Sequence, residues 1–327
     1  MKRAVITGGA GFLGSNIAKV MSEKGYGVFA SYHSGKPEHP IENVTYVKAD
    51  LLDPLQCDSL LEGKDILIMC AAYVGGIADM QKNPHALINN NTRININTLE
   101  AAYKNKIKKC IFISSGAIYP ELKGPAGEND AFTGDPIDKY YILGWSKRFA
   151  EILCRIYSQK MGSTMDTTVL RIDNVYGPYD TFEGDKAHVV PSLVRKVVSG
   201  DNPIVVWGDG EEKKDFLYVE DLAKAVYLAV ENCCGFHEYN VARGKNNSIN
   251  QVLDILLEIN GCREKAIEHD LAKPSSISER NLNTGKIREE LGFQAETGIR
   301  EGLEKTVQWY KKYGMNGEEY GYHKNPL

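Results

Sequence analysis

Three sets of residues in this chain have the types and spacing for chemistry. Gly8, Gly11 and Gly14 stand three apart in Thr7-Gly8-Gly9-Ala10-Gly11-Phe12-Leu13-Gly14. Glycine at those places lets the backbone turn tightly and approach a pyrophosphate. A helix starting there offers free N–H groups and a positive dipole end to phosphate oxygens. Ser115, in Ser114-Ser115-Gly116-Ala117-Ile118-Tyr119-Pro120, follows the apolar run Cys110-Ile111-Phe112-Ile113. A hydroxyl beyond the carboxyl end of a strand can bond a substrate oxygen as a carbonyl forms or disappears. Arg195-Lys196, Lys213-Lys214 and Arg280 are three cationic places on a mildly acidic chain, and together they suit a dianionic diphosphate.

The elements that must position these groups follow from the apolar pattern. Ala4-Val5-Ile6 reads as a buried strand, and Ser15 to Lys24 as the helix after the glycine turn. Val28 to Tyr32, Val44 to Val47, Ile66 to Cys70 and Cys110 to Ile113 read as further strands. An NAD-specific fold places an acid near the end of its second strand, on the adenosine ribose. Here that stretch is Tyr32-His33-Ser34-Gly35-Lys36, with no acid, and its groups suit a 2′-phosphate, so NADP is expected over NAD. Ala71-Ala72 leaves the fourth strand with side chains small enough for a cofactor to pass. Three consecutive asparagines, Asn89 to Asn91, disfavour a helix interior, so a helix running to Tyr103 opens or breaks there. Asp50 is a candidate N-cap for the helix that follows through Leu60. Pro191 to Val198, Ile249 to Asn260 and Gly302 to Tyr313 read as helices, and Glu318 to Leu327 as a frayed tail.

Composition bounds the answer. The 327 residues allow a Rossmann-type, doubly wound parallel α/β sheet with a smaller C-terminal α/β substrate lobe. The expected division is 1–175 and 176–327, with part of 215–245 returning to the first. A net charge of −4 gives no electrostatic footprint for nucleic acid. Seven cysteines are odd in number and form no C-x-x-C pair; Cys70 and Cys110 sit in apolar runs and read as core. That usage, with no signal peptide and no span of membrane length, points to a reducing cytoplasm. No metal ligand set is read.

Leu170-Arg171-Ile172-Asp173-Asn174-Val175-Tyr176-Gly177-Pro178, Val206-Trp207-Gly208-Asp209-Gly210 and Asp215-Phe216-Leu217-Tyr218-Val219-Glu220-Asp221 occur in this order behind the glycine turn. With them the chain resembles the extended short-chain dehydrogenase/reductase family, also called the NAD-dependent epimerase/dehydratases. Ala71 to Ile77, Ala117 to Pro120 and His188 to Leu193 resemble the GDP-L-fucose synthase group most, and the GDP-mannose 3,5-epimerase group next. The resemblance implies an NAD(P)-dependent enzyme that reduces or epimerises a GDP-sugar by hydride transfer, working as a homodimer through helices near 90–104 and 144–160. A 4-epimerase or dehydratase with tightly held NAD is the alternative. It implies cofactor contacts from Gly8, Gly11, Phe12, Leu13, Gly14, Tyr32, Ser34, Lys36, Asp50, Leu51, Ala71, Ala72 and Lys147. Asp50 stands where the family bonds the adenine amino group, and Asn91 where an asparagine supports the active-site backbone. For the sugar nucleotide it implies Val74, Gly75, Gly76, Asn174, Val189, Arg195, Lys196, Trp207, Lys214 and Arg280. Lys214 stands where the family often carries an arginine on the diphosphate.

Two departures follow from the same resemblance. The family pairs its serine, here Ser115, with a tyrosine and a lysine four apart on one helix. Gly144-Trp145-Ser146-Lys147 matches the lysine half, but Leu143 stands in the tyrosine's place, and leucine transfers no proton. Either the usual hydride chemistry is lost or rerouted, and the chain is a cofactor-binding sensor at the extreme, or Tyr140 or Tyr141 at the helix entry serves instead. On a regular helix Tyr140 lies about 10 Å from Lys147, so the second explanation needs an irregular helix start. The family's epimerising enzymes also carry a cysteine two residues past the serine, opposite a histidine or lysine. Ala117 occupies the first position and His188 the second, beside an acidic loop Glu183-Gly184-Asp185. One proton donor without a partner argues against inversion of two centres.

Overall fold

The computed structural model describes residues 1–35, 37, 39–73, 84–162, 165–184, 187–273 and 280–314. Lys36, Val74, Gly75 and Gly76 lie outside them, as does the tail 318–327.

Strands and helices alternate from the first residues. β1 (Arg3–Thr7), α1 (Phe12–Glu23), β2 (Gly27–Tyr32), β3 (Val44–Lys48), α2 (Pro54–Leu61) and β4 (Ile66–Met69) come first. α3 (Pro84–Lys104), β5 (Lys109–Ser115), α4 (Tyr141–Gln159), β6 (Asp166–Ile172) and β7 (Asn174–Tyr176) follow. Next are α5 (Val189–Ser199), β8 (Ile204–Trp207), β9 (Lys213–Tyr218), α6 (Val219–Asn232) and β10 (Phe236–Val241). β11 (Asn246–Ser248), α7 (Ile249–Asn260), β12 (Ile267–Asp270), α8 (Gly285–Leu291) and α9 (Ile299–Tyr313) complete the described chain.

Among the described residues a seven-stranded parallel sheet runs β10-β6-β5-β4-β1-β2-β3. Its inner strands β1, β4 and β5 are buried and largely apolar on both faces, as a parallel sheet between helices requires. Ala4 and Ile6 pack with α1 and α6, and Val5 packs on the other face with α2 and α3. The strand order reverses between β1 and β4, and a crevice opens at the carboxyl ends on either side of such a point. β10 enters the sheet late, pairing with β6 from Phe236↔Thr167 to Val241↔Ile172. The second body of structure holds β7-β9-β11 and the pair β8-β12, with α5, α7 and α9 closing over Val194, Leu253, Leu256 and Leu303.

The glycine turn is as tight as its sequence demands. Gly8 has φ +64°, and a Cβ on Gly14 would stand 2.2 Å from the Gly8 carbonyl oxygen. α1 opens at Phe12 rather than Ser15, and Gly11 at its N-cap brings no side-chain bond to the first N–H groups. Gly14→Ala is therefore expected to cost about 1–3 kcal/mol by overpacking and to weaken dinucleotide binding, as calorimetric titration would read.

Two expectations are corrected. α3 runs through 89–91 without a break. Tertiary bonds override the poor propensity: Asn91 accepts from the Tyr73 N–H at 2.7 Å and donates to the Tyr73 carbonyl at 3.1 Å. The N-cap of α2 is Asp53, whose carboxylate accepts from the Leu55 N–H at 2.9 Å with Pro54 at the first helical position. Asp50 instead accepts from the Leu52 N–H at 2.9 Å, a local turn before the helix.

Candidate active site

One face of α4 fixes the exit of β5. Gly144, Lys147, Arg148 and Glu151 recur at helical spacing and lie on one side. A Cβ on Gly144 would meet the Ala117 carbonyl oxygen at 2.6 Å and Pro136 at 2.5 Å, so only glycine lets the helix approach so closely. The Lys147 ammonium donates to the Ile113 carbonyl at 2.8 Å, and Arg148 Nε donates to the Ile118 carbonyl at 2.9 Å. Ser115 sits between these anchors, its hydroxyl oxygen accepting from the Ala117 N–H at 3.1 Å. Burial pushes the Lys147 ammonium down to about 8, against the opposing pull of Cys70 and Glu151. Cys70 stands just past the end of β4, partly buried and packed against the core.

Beneath this exit lies a charged network that sequence reading missed. Arg171 on β6 is fully buried and donates to both carboxylate oxygens of Glu151, from Nη2 at 2.8 Å. Ser114 donates to Glu151 at 2.5 Å, and Arg171 Nη1 donates to the Tyr119 hydroxyl and the Glu128 carbonyl. Tyr119 in turn donates to Asn240 on β10 at 2.6 Å. The signal was present: an arginine inside the apolar run Val169 to Ile172 must find an acid.

The missing tyrosine takes a definite form here. Leu143 lies in the first turn of α4. A 3-10 turn, Asp138–Tyr140, precedes that helix, so the start is irregular and Tyr140 is its N-cap. Arg280 lies 5.4 Å from the Tyr140 ring centroid. Tyr141 is exposed, its ring edge-on to Trp145. Arg280 also donates to Asp173, from Nη2 to Oδ1 and from Nε to Oδ2 at 3.4 Å, and it packs on Gly116. Asp173, at the exit of β6, was not singled out by the sequence.

His188 is the N-cap residue of α5. Its ring is exposed, its Nδ1 is 3.2 Å from the buried Asp180 Oδ1, and this carboxylate raises the imidazole pKa. Among the described residues its carboxylate partner is Asp180. Raised affinity for a proton contributes stability below the ordinary histidine range, and the contribution is lost as pH rises through the raised value. Asp180→Asn is expected to return His188 toward ~6.5, read by NMR titration of its ring.

The remaining cations divide. Lys214 is buried beside Glu212 at 3.4 Å, and burial lowers its pKa while Asp173 and Arg280 act on it. Arg195 pairs with Asp201 at 3.3 Å, and Lys196 donates to the Val205 carbonyl at 2.6 Å. Trp207 ends β8 half-exposed, with the Lys273 ammonium 5.3 Å from its ring. Asn174 opens β7 and Val189 opens α5. On the cofactor side, Gly8 presses on Ala71, and the Gly8 N–H donates to the Ser31 hydroxyl at 3.2 Å. Tyr32 ends β2, Ser34 is exposed just after it, and His33 lies 3.9 Å from Asp50. Leu51 is buried and Ala72 partly so. The tight glycine turn and the uncapped start of α1 fit a dinucleotide pyrophosphate.

Comparison with known proteins agrees with this geometry. The model of the NAD dependent epimerase/dehydratase family matches residues 4–242. GDP-mannose 3,5-epimerase 1 of Oryza sativa subsp. japonica is 31% identical over 319 residues, 95% of this chain and 82% of that protein. GDP-L-fucose synthase 1 of Arabidopsis thaliana is 28% identical over 326 residues, 93% of this chain and 98% of that protein. UDP-glucose 4-epimerase of Thermotoga maritima, solved with UDP-glucose, has a TM-score of 0.85 at 28% identity over 95% of this chain and 99% of that one.

Proposed function

The chain belongs to the NAD-dependent epimerase/dehydratase family, and from that premise we propose that it reduces or epimerises a GDP-sugar with NADP. It is an NAD(P)-dependent enzyme of nucleotide-sugar modification. The observation that carries the reading is the meeting of Ser115 and Lys147 at the exit of β5, above the buried Glu151–Arg171 pair. When bound, the nicotinamide would supply or take up a hydride at a sugar carbon. Gly8, Gly11, Phe12, Leu13 and Gly14 hold the pyrophosphate through backbone N–H groups and the α1 dipole. Tyr32 and Ser34 face the adenosine ribose, with Asp50 and Leu51 at the adenine. Asn91 clamps the Tyr73 backbone, fixing the path after Ala71 and Ala72 past the nicotinamide.

Ser115 polarises the sugar oxygen, and Lys147 holds the nicotinamide ribose and favours negative charge on the reacting oxygen. His188, oriented by Asp180, is an auxiliary acid on one face of the sugar. Ala117 offers no acid or base on the other face, so the reading is reduction or inversion at a single centre. Lys214 and Trp207, with Asn174 and Val189, face the nucleotide, and Arg280, packed on Gly116 next to Ser115, stands at its sugar end. Arg195 and Lys196 are left out, because their bonds to Asp201 and Val205 hold the second body of structure together. Exposed apolar residues on α3 and α4, among them Tyr103, Phe149, Ile152 and Ile156, support a homodimer through those helices.

The test is turnover of GDP-, UDP- and dTDP-linked sugars and 4-keto sugars with NADPH or NADH, followed by mass spectrometry. NADPH-dependent conversion, or deuterium exchange into a GDP-sugar alone, is the expected result. Preference for a UDP-sugar with tightly held NAD overturns the GDP and NADP assignments.

A further inference from the structure

The family resemblance leaves Lys147 without a phenol one turn before it, and the structure offers one elsewhere. Building on the nucleotide-sugar reading, we propose that Tyr140, activated by Arg280 rather than by Lys147, is the phenol that exchanges a proton with the substrate hydroxyl.

Four observations converge on one corner of the site. Leu143 occupies the place on α4 one turn before Lys147 and has no proton to give. Tyr140 is held at the head of that helix by a 3-10 turn, its N–H bonded to the Ile137 carbonyl at 2.8 Å. The Arg280 guanidinium lies 5.4 Å from the Tyr140 ring centroid. The same guanidinium packs on Gly116, where a Cβ would stand 3.1 Å from Arg280 Nε, so Tyr140 and Ser115 are brought to one corner through it. Asp173 holds the Nε and Nη2 edge of Arg280. The remaining nitrogen, Nη1, is buried and makes no hydrogen bond among the described residues. The segment carrying Arg280 is itself fixed, since Asn281 and Asn283 bond the backbone of Ala126.

A cation beside a phenol favours the phenolate. Tyr140 and Lys147 are seven positions apart along α4 and its entry, about two helical turns, so the nearer cation is Arg280. Among the described residues, the other ionisable groups that act on Arg280 or its neighbours here are Asp173 at the exit of β6, Tyr119, and Lys214 of β9 with Glu212 just before it. Asp138 and Lys139 on Tyr140's own turn are exposed. Arg280 is thus balanced by Asp173, and Lys214 by Glu212 and Asp173. In the oxidative direction the Tyr140 phenolate takes the proton of the sugar hydroxyl. A bound oxidised nicotinamide would supply the acceptor for the hydrogen of that carbon with its electron pair, as hydride, so that the deprotonated sugar oxygen becomes a carbonyl oxygen. In reduction the phenol returns that proton to the new alkoxide.

The test is a spectrophotometric pH titration of tyrosine ionisation on the purified full chain, with no substrate or cofactor present. In the parent, one phenol is expected to ionise ahead of the rest. Tyr140→Phe should remove that first ionisation. Arg280→Gln should move it up by about one to three pH units, and Asp173→Asn, which leaves the guanidinium uncompensated, should move it down. With a turned-over sugar nucleotide, Tyr140→Phe should lower kcat by about 10²–10⁴-fold, with KM changed only a few-fold. An early ionisation that survives Tyr140→Phe, or that ignores Arg280→Gln, overturns the proposal, as does parent-like kcat in Tyr140→Phe. If the titration behaves as expected but no GDP-sugar is turned over, the substrate reading fails and the Tyr140–Arg280 coupling stands.

Discussion

Lys147→Met is expected to lower turnover by about 10²–10⁴-fold, with no loss of stability. The ammonium donates to the Ile113 carbonyl and lies 4.9 Å from the Phe112 ring, on the strand that ends in Ser115. Methionine keeps the length and the apolar stem but removes the charge and the donor. Burial lowers the pKa of this group to about 8, against an ordinary value near ~10.4. Between those values the unfolded chain binds more protons than the folded one, so stability rises with pH across that window. Below about 8 the folded protein carries the full penalty of the enclosed ammonium. Methionine removes that penalty, which offsets the lost hydrogen bond. Steady-state kinetics and thermal midpoints on either side of pH 8 separate the two effects. If the ammonium is the working form, parent kcat falls as pH rises through about 8. Parent-like turnover in Lys147→Met would remove this residue from the site.

Breaking the Glu151–Arg171 pair is expected to have the largest effect on stability. Arg171 is 0% and Glu151 3% exposed. Removing Arg171 leaves Glu151 an unanswered buried charge, and removing Glu151 leaves Arg171 only the more distant Glu238 at 3.7 Å, so either truncation costs about 3–5 kcal/mol. Glu151→Ala also strips Ser114 of its acceptor and loosens the helix that carries Lys147. The double change Glu151→Met with Arg171→Met removes both charges, and it is expected to lie closer to the parent than either single variant. Denaturant midpoints for the four proteins complete the cycle. A single variant that loses less than about 1 kcal/mol would mean that water reaches the pair and screens it.

The sheet was legible because its strands are short apolar runs and its first turn is glycine-rich. Both signals are local. The misreadings were local rules overruled at a distance. Asn91 reads as a helix breaker until Tyr73, eighteen residues earlier, is seen to use its amide. Asp50 and Asp53 both precede the same helix, and Pro54 at the first helical position was the better marker of the cap. The site was legible where motifs are contiguous, as around Ser115 and Lys147. It was not legible where partners come from remote parts of the chain. Asp173 and Arg280 are 107 residues apart, and no spacing rule joins them. Asp180 and His188 are only eight apart, but they are joined through a loop with no periodicity. Leu143 showed that a phenol was missing; only the fold shows which tyrosine meets a cation.

The late arrival of β10 affects how the protein is made. A growing chain cannot pair the outer edge of β6 until residue 241 has been synthesised, roughly 12–50 s into translation at ~5–20 residues per second. Until then Arg171 has Glu151 for a partner but lacks the link through Tyr119 to Asn240 that completes its enclosure. The strand carrying Arg171 also presents an open edge to other nascent chains during that interval. A charged residue within that strand is then a safeguard, because an arginine resists burial in a neighbour's sheet. The same side chain that anchors the finished site thus discourages the unfinished one from pairing with the wrong molecule.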